Sequence, residues 1–368
     1  MSEHHRFLFI TCQFGAEQAV KGELSRRLPE FRFAFSRPGF LTFKIPENHP
    51  LPDDFDPNLV FARTLGFSLG KAVGGDLDHR ARSAWEVFGD RPVHAIHVWE
   101  RDRAVPGEHG FEPSITAASV EAHEAIRRHC PLPTAEKLGG IAEAPARHGR
   151  YVLDCVLVEP DQWWIGTHRV KSVNSRWPGG IMSLTLPPTA VSRAWLKMEE
   201  ALRWSGLPIA PGARCAEIGS APGGASQSLL DRGLIVTGID PAEMHPTILN
   251  HPNFTHIRRR VTQVQRREFR KIRWLTADMI VAPDYTLDTI EAIVTYPQTN
   301  VRGMLLTLKL SDWNMADSVP ELLARVRGWG FNLTRARQLA HNRQEICVAA
   351  LQKPFHRKPY RDRASRHE

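Results

Sequence analysis

The stretch Glu217-Ile-Gly-Ser-Ala-Pro-Gly-Gly224 limits what this chain can fold into more than any other. It follows a turn at Pro211-Gly212 and a short apolar run, leads into a helix-like segment from Ala225 to Asp231, and is followed by Leu234-Ile-Val-Thr-Gly-Ile-Asp240. The order is strand, glycine-rich turn, helix, second strand, with a carboxylate closing the second strand. In an open α/β sheet this unit builds a nucleotide pocket at the carboxyl ends of the strands. Glycine, with no Cβ, lets the backbone come close to a ligand there. A dinucleotide fingerprint needs G-x-G-x-x-G, which brings main-chain N–H groups and a helix N-terminus onto a pyrophosphate. Here the glycines are Gly219, Gly223 and Gly224, and Pro222 removes one N–H donor. The turn, with Glu217 before it and Ser220 and Ala221 inside it, therefore points to a cofactor without phosphate, such as S-adenosylmethionine (SAM). Asp240 is the candidate for the ribose hydroxyls. The same residues also fit an ordinary strand–turn–helix connection, and short glycine motifs alone do not separate the two.

The residues around this turn keep alternating between the two periods. Thr189 to Ser205 reads as a helix, with Ser192 as its cap and Trp195, Met198 and Leu202 as its buried stripe; Lys197 points away from that stripe. Beyond the turn come strands at Leu234–Ile239, Phe254–Ile257 and Trp274–Met279, a helix at Leu287–Gln298, a strand at Gly303–Leu310, a helix at Val319–Trp329, and closing strands at Leu333–Leu339 and Glu345–Leu351. Strands alternating with helices predict a mostly parallel, doubly wound α/β sheet.

With 368 residues the chain is too long for one core. The first segment reads as strand Phe7–Ile10, helix Glu17–Arg27 and strand Gly39–Ile45, ending in the Pro-rich linker Glu47–Asp54. A middle region from about Leu59 to Gly179 holds a strand at His94–Glu100, a helix at Ser114–His129 capped by Ser114 or Thr116, and a hairpin of Tyr151–Glu159 and Gln162–Val170. It reads as an α+β module. The histidines His94, His97, His123 and His129 show no metal-ligand spacing, and the five cysteines form no C-x-x-C pair, so no metal is expected. No apolar run approaches the ~20 residues of a membrane span and the N-terminus lacks the features of a signal peptide, so the expected compartment is the cytoplasm.

Net charge is +8, which favours a polyanionic partner, RNA or DNA. The excess is concentrated. Arg258, Arg259, Arg260, Arg266, Arg267, Arg270, Lys271 and Arg273 fall within one short segment, and a basic tail follows from His356. A phosphate-contacting surface and a merely solvated face are both compatible with such runs.

Four residues take similar addresses along the last region. Lys197 lies on the helix before the first strand, Asp278 ends a strand, Lys309 lies near the end of another, and Glu345 opens the last. A lysine inside an apolar strand is costly unless it is paired or functional. These residues sit in Ser192-Arg-Ala-Trp-Leu-Lys197, Gly219-Ser-Ala-Pro-Gly-Gly224, Asp278-Met279, Leu308-Lys309-Leu310 and Arg343-Gln-Glu345-Ile-Cys-Val. In that order, they make the region from about Ser192 to Leu351 resemble the FtsJ-type RNA ribose 2′-O-methyltransferases. The resemblance implies a Rossmann-like SAM-dependent methyltransferase domain with Lys197, Asp278, Lys309 and Glu345 as catalytic residues. It implies cofactor contacts from Glu217, Gly219, Ser220, Ala221, Pro222, Gly223, Gly224, Asp240 and Asp278. Leu186-Pro-Pro-Thr-Ala-Val-Ser-Arg and Ala336-Arg-Gln-Leu-Ala-His-Asn-Arg-Gln-Glu345 extend the likeness to family members acting on large-subunit ribosomal RNA. In those members ferredoxin-like and THUMP RNA-binding modules precede the catalytic domain. The expected organisation is thus 1–58 ferredoxin-like, 59–180 THUMP-like, 181–355 methyltransferase and 356–368 basic tail. Ala225 replaces the family's aromatic residue and Glu217 its usual aspartate, and Arg258-Arg-Arg260 stands where the family tends to place an acidic residue after the third strand.

The implied chemistry is an in-line transfer of a methyl group to a ribose hydroxyl, for which the site must supply a base and alignment; alignment alone is worth ~7–11 kcal/mol. Lys309 is the expected base, with Asp278 and Glu345 orienting the amines. A non-catalytic RNA-binding protein on a decayed fold is the competing reading, favoured by Ala225 and Arg258–Arg260 and opposed by the retained tetrad. A nicotinamide oxidoreductase is opposed by the missing fingerprint glycine.

Overall fold

Two seven-stranded sheets organise the chain, in a computed structural model that describes residues 5–131, 138 and 145–352. The basic tail expected over 356–368 lies outside the described residues, as does the start of the N-terminal stretch.

The first sheet is built from β1 (Phe7–Thr11), β2 (Arg32–Arg37), β3 (Phe40–Lys44), β4 (Thr64–Val73), β5 (Ala95–Glu100), β6 (Tyr151–Glu159) and β7 (Gln162–Arg169). Their spatial order is β2-β3-β1-β4-β7-β6-β5. Strand β1 lies between β3 and β4, antiparallel to both, with Leu8 opposite Phe43 on one side and Phe67 on the other. The strands on either side of residue 58 therefore share one sheet. Helix α1 (Glu17–Arg27) follows the predicted span and buries Val20 and Leu24; Glu17 in its first turn and Arg26 and Arg27 in its last complement the helix dipole. Helices α2 (Leu77–Phe88) and α3 (Ala117–Arg128) pack on the same unit, and Thr116, not Ser114, caps α3 by accepting from Ser119 N–H.

The second sheet holds β8 (Arg214–Ile218), β9 (Ile235–Ile239), β10 (Phe254–Ile257), β11 (Trp274–Asp278), β12 (Gly303–Lys309), β13 (Leu333–Arg337) and β14 (Glu345–Leu351), in the order β10-β9-β8-β11-β12-β14-β13. The first five are parallel, β14 runs antiparallel to β12, and β13 antiparallel to β14. The chain moves outward from β8 to β10, returns, and moves outward the other way from β11. The switch point falls between β8 and β11, where a crevice opens in sheets of this kind. Helices α4 (Ala194–Ser205), α5 (Gly224–Asp231), α6 (Pro246–Leu249), α7 (Pro283–Val294) and α8 (Val319–Gly328) complete the unit.

Several local expectations are corrected. Helix α4 starts at Ala194 rather than Thr189, its N-cap is Arg193 rather than Ser192, and Ser192 Oγ, one residue before the cap, accepts from Ala194 N–H. Trp195 is not in the buried stripe; it is partly exposed and its indole N–H reaches Asp231, while Leu196 is buried in its place. Helix α7 starts four residues earlier than predicted because Pro283 suits a first turn, where no N–H is needed. Strand β13 stops at Arg337, two residues short of Leu339.

The two units share a core. Leu8, Val20 and Leu24 of the first belong to one continuous buried cluster with Ile218, Leu306 and Phe331 of the second. Gln338 N–H donates to the Val60 carbonyl across the seam, at 2.8 Å. In the first sheet, β5, β6 and β7 also bring together three residues that sequence spacing kept apart. His168 bonds Asp154 at 2.6 Å and the Ser175 carbonyl at 2.8 Å, and His97 Nδ1 lies 3.9 Å from Asp154. All three are buried, and their ligand-capable atoms lie within 4.8 Å of one another.

Candidate active site

Lys197, Asp278, Lys309 and Glu345 form a closed ring at the carboxyl ends of β11 and β12. Asp278 is the last residue of β11, so the parallel sheet delivers it to the switch point. Lys309 ends β12, and the antiparallel register places it directly opposite Glu345, the first residue of β14. Lys197 comes from the first turn of α4. Its Nζ donates to Asp278 Oδ2 at 2.7 Å and lies 2.7 Å from Glu345 Oε1. Lys309 Nζ donates to Glu345 Oε2 and lies 2.7 Å from Asp278 Oδ1. That last contact is an ion pair without hydrogen-bond alignment, so the buried Oδ1 keeps acceptor capacity.

Charge alternates around the ring, and each carboxylate touches both amines. Burial pushes the Asp278 and Glu345 carboxyls up, but the two lysines outweigh it and hold both below the usual carboxylate range. Burial acts to lower the Lys197 amine, yet Asp278 and Glu345 raise it overall. Lys197 is the more enclosed amine, 14% exposed against 24% for Lys309. Asn342, buried on the loop before β14, donates to Glu345 Oε1 at 3.1 Å and accepts from Leu339 N–H through its own amide oxygen. Sequence reasoning passed over Asn342, although it lies three residues before Glu345. It also passed over Ile280, two residues beyond Asp278, whose side chain is 95% exposed.

The glycine turn lies beside this ring. Gly219 has φ +78°, and a Cβ there would come within 2.6 Å of the Asp278 carbonyl oxygen. At Gly223 a Cβ would strike Ile248, and at Gly224 it would strike Ser192. At these three glycines the missing Cβ makes room for neighbouring parts of the protein. Asp240, at the end of β9, accepts from Ala221 N–H at 3.1 Å and Ala242 N–H at 2.8 Å, which ties the turn to the second strand; its two oxygens retain further lone pairs. Pro222 follows a cis peptide bond, and its carbonyl accepts from His245. Ser220 is buried against Met244. Glu217 is fully buried at the end of β8 and accepts from Ser226. Burial lifts its carboxyl to about 8 against the pull of that hydrogen bond, with Asp278 and Asp240 adding to the rise.

The donor set tests which cofactor fits. Three carboxyl groups, Glu217, Asp240 and Asp278, occupy neighbouring strand ends, and the turn 219–224 carries no lysine or arginine. That set suits ribose hydroxyls and a cationic amine or sulfonium, and it opposes a pyrophosphate.

A parallel sheet switched between β8 and β11, with an ionic tetrad at the switch, is the architecture of an α/β domain that holds its ligand at the strand ends. The family of FtsJ-like methyltransferases matches residues 190–317, which lie within the C-terminal unit. The similarity then extends along the chain to the proteins named ribosomal RNA large subunit methyltransferase M. The one from Halorhodospira halophila is 26% identical over 364 residues, covering 95% of this chain and 98% of that protein. The one from Laribacter hongkongensis is 28% identical over 356 residues, covering 90% and 91%. That from Xylella fastidiosa is 35% identical over 189 residues, covering 49% of this chain and 53% of its own length.

Proposed function

We propose that this protein is a SAM-dependent methyltransferase acting on a ribose 2′-hydroxyl of large-subunit ribosomal RNA. The ring Lys197–Asp278–Lys309–Glu345 carries the reading, and the relatives named as ribosomal RNA methyltransferases supply the substrate class. They also disfavour the alternative of a non-catalytic RNA-binding protein.

SAM, when bound, would supply an activated methyl group on a sulfonium, whose carbon–sulfur bond would break to leave a neutral thioether. Glu217, Asp240, Asp278 and the backbone of Gly219, Ser220, Ala221, Pro222, Gly223 and Gly224 would hold it. Everything else falls to the protein's own side chains. Lys309, the less covered amine, is the one a ribose hydroxyl reaches. Once Nζ has released its resting proton to solvent, it accepts the ribose hydroxyl proton, and the hydroxyl oxygen is then free to take the methyl group. Accepting that proton gives the ring two positive and two negative charges, so it ends neutral overall. Lys197 and Glu345 fix the position of Lys309 and Asp278, which is where alignment is gained. Ile280 offers an apolar contact to the base of the target nucleotide.

The first sheet, in this reading, selects the RNA. We assign residues 1–58 and 59–180 to ferredoxin-like and THUMP-like parts of one RNA-binding unit. The arginine-rich segment adds phosphate contacts. It is anchored by Val261, Val264, Phe269 and Ile272, while Arg258, Arg259, Arg260, Arg267, Arg270, Lys271 and Arg273 face solvent. Mapping 2′-O-methyl groups in ribosomal RNA from cells with and without the protein tests the reading. One site lost with the protein supports it, and an unchanged map contradicts it.

A further inference from the structure

The two segments that bring Lys197 and Glu345 to the ring are also held from outside the catalytic sheet. Between β5 and α3 the first unit sends out a long loop, and Glu112 near its end reaches the second unit. Glu112 Oε1 accepts from Arg193 Nε at 2.6 Å and Oε2 accepts from Arg193 Nη2 at 3.0 Å, a two-pronged carboxylate–guanidinium pair. The same Oε2 lies 3.1 Å from His341 Nδ1. Arg193 is the N-cap residue of α4, one turn before Lys197. His341 lies on the loop between β13 and β14, four residues before Glu345. The two segments also touch directly, because Arg193 Nη2 donates to the His341 carbonyl at 3.4 Å. A second contact comes from the same outer loop, where Arg343 Nε donates to the Pro106 carbonyl at 2.8 Å.

We propose that Glu112 is a positioning residue for methyl transfer, a carboxylate of the RNA-selecting unit that fixes the spacing between the α4 segment carrying Lys197 and the loop carrying Glu345. The inference rests on the functional reading above. Its physical basis is that the ring needs two amines and two carboxylates held to fractions of an ångström, and a misplacement of 1 Å in such a site costs on the order of 10²-fold in rate. Within the catalytic unit Glu200 makes the matching connection. Fully buried on α4, it accepts from Ala340 N–H at 2.8 Å and His341 N–H at 3.0 Å. Glu200 ties α4 to the β13–β14 loop at one point, and Glu112 ties them at a second. By bridging Arg193 and His341, Glu112 reinforces their direct contact and restrains the angle between the two segments. Burial works to raise the Glu112 carboxyl, but the hydrogen bonds and charges of His341 and Arg193 hold it down at about 2, so it stays ionised throughout the working range. The connection also gives the RNA-selecting unit a physical hold on the catalytic residues that does not pass through substrate.

Steady-state kinetics of Glu112→Gln and Glu112→Ala, with SAM and ribosomal RNA from cells lacking the protein, are the test. Glu112→Gln preserves shape and removes charge, so it serves if the alanine variant folds poorly. Glu108→Ala, an exposed residue of the same loop, is the control. The expected result is a fall in kcat of about 10- to 100-fold in both Glu112 variants, with KM for RNA and SAM within about twofold of wild type and the control unchanged. A second arm needs no turnover. Acetic anhydride should label Lys197 slowly in the wild type, because two carboxylates enclose it, and at least about fivefold faster in Glu112→Ala. Unchanged kcat in a folded variant, a raised KM for RNA at unchanged kcat, or unchanged Lys197 labelling would each overturn the proposal. If the wild type itself transfers no methyl group to RNA, the functional reading fails separately, and the labelling arm still decides the role of Glu112.

Discussion

Lys309 and Glu345 are register partners across β12 and β14, and their side chains form one side of the ionic ring. An antiparallel strand inserted beside a parallel one is what brings them together. Lys309 leaves the sheet at the end of its strand, and Glu345 enters at the start of the next one over. Fixed by backbone register, the pair owes little to the conformational choice of two long side chains, which is the usual weakness of an ion pair.

The ring should make stability depend on acid. Asp278 and Glu345 sit below their unfolded values in the folded state, despite burial, because of Lys197 and Lys309. Their contribution is therefore present above the ordinary carboxylate range and lost as pH falls through the depressed folded values. Replacing Lys197 by methionine removes one of the cations that depress them. The loss of stability between pH 7 and pH 3 should then shrink by roughly 1–3 kcal/mol, measured by denaturant unfolding. An identical pH dependence in both proteins would contradict the assignment.

Glu217 should act in the opposite sense. Its folded value is raised to about 8, chiefly by burial. A raised carboxyl contributes stability that is full below the unfolded value of ~4.3 and is lost as pH rises toward the folded one. Glu217→Gln mimics the protonated acid. Without cofactor, the variant should match wild type near pH 4 and exceed it by a few kcal/mol near pH 9. Equal unfolding midpoints at both pH values would show that the carboxyl is not held neutral.

Gly219→Ala should damage fold and site together. The position has φ +78°, and the new methyl group would meet the Asp278 carbonyl at 2.6 Å. Strain of roughly 1–3 kcal/mol is expected, with a fall in both SAM affinity and turnover as Asp278 is displaced. Calorimetric melting together with titration of SAM checks this; a variant with wild-type values in both would be inconsistent with the packing described.

RNA affinity should fall steeply with salt. The arginine-rich segment between β10 and β11 presents at least seven solvent-facing cations. If about four of them meet phosphates, affinity should drop roughly 10- to 100-fold between about 50 and 200 mM salt. Filter binding across that range measures it, and a flat profile would remove this segment from the interface.

Much of this was legible in the sequence, for physical reasons that differ by element. Helix α1 reads clearly because Val20 and Leu24 recur at helical spacing between an acidic start and a basic end. The second sheet reads clearly because its strands are apolar and punctuated. Strand β2 escaped because it is an edge strand in which no residue is fully buried. Strand β4 escaped because a bulge between Ser68 and Gly70 breaks its alternation. Helix α2 was readable after all: Asp76 caps it and Gly89 follows its last residue. The four ring residues were singled out together, by their addresses and by the family resemblance, but the ring they form depends on strand register, which no local pattern encodes. Glu112 carried no signal, since its partners Arg193 and His341 are distant in sequence and it lies in a loop without periodicity. The His97–Asp154–His168 cluster was missed for the same reason, three strands supplying one residue each.

The most direct test of the central claim is nucleoside analysis of ribosomal RNA treated with the purified protein and isotopically labelled SAM, for the wild type and for Lys309→Ala. The account predicts a single labelled 2′-O-methylnucleoside from the wild type. For the variant it predicts a rate at least ~10²-fold lower, with SAM affinity within about threefold of the wild type. Label appearing on a base, or wild-type turnover from Lys309→Ala, would contradict it.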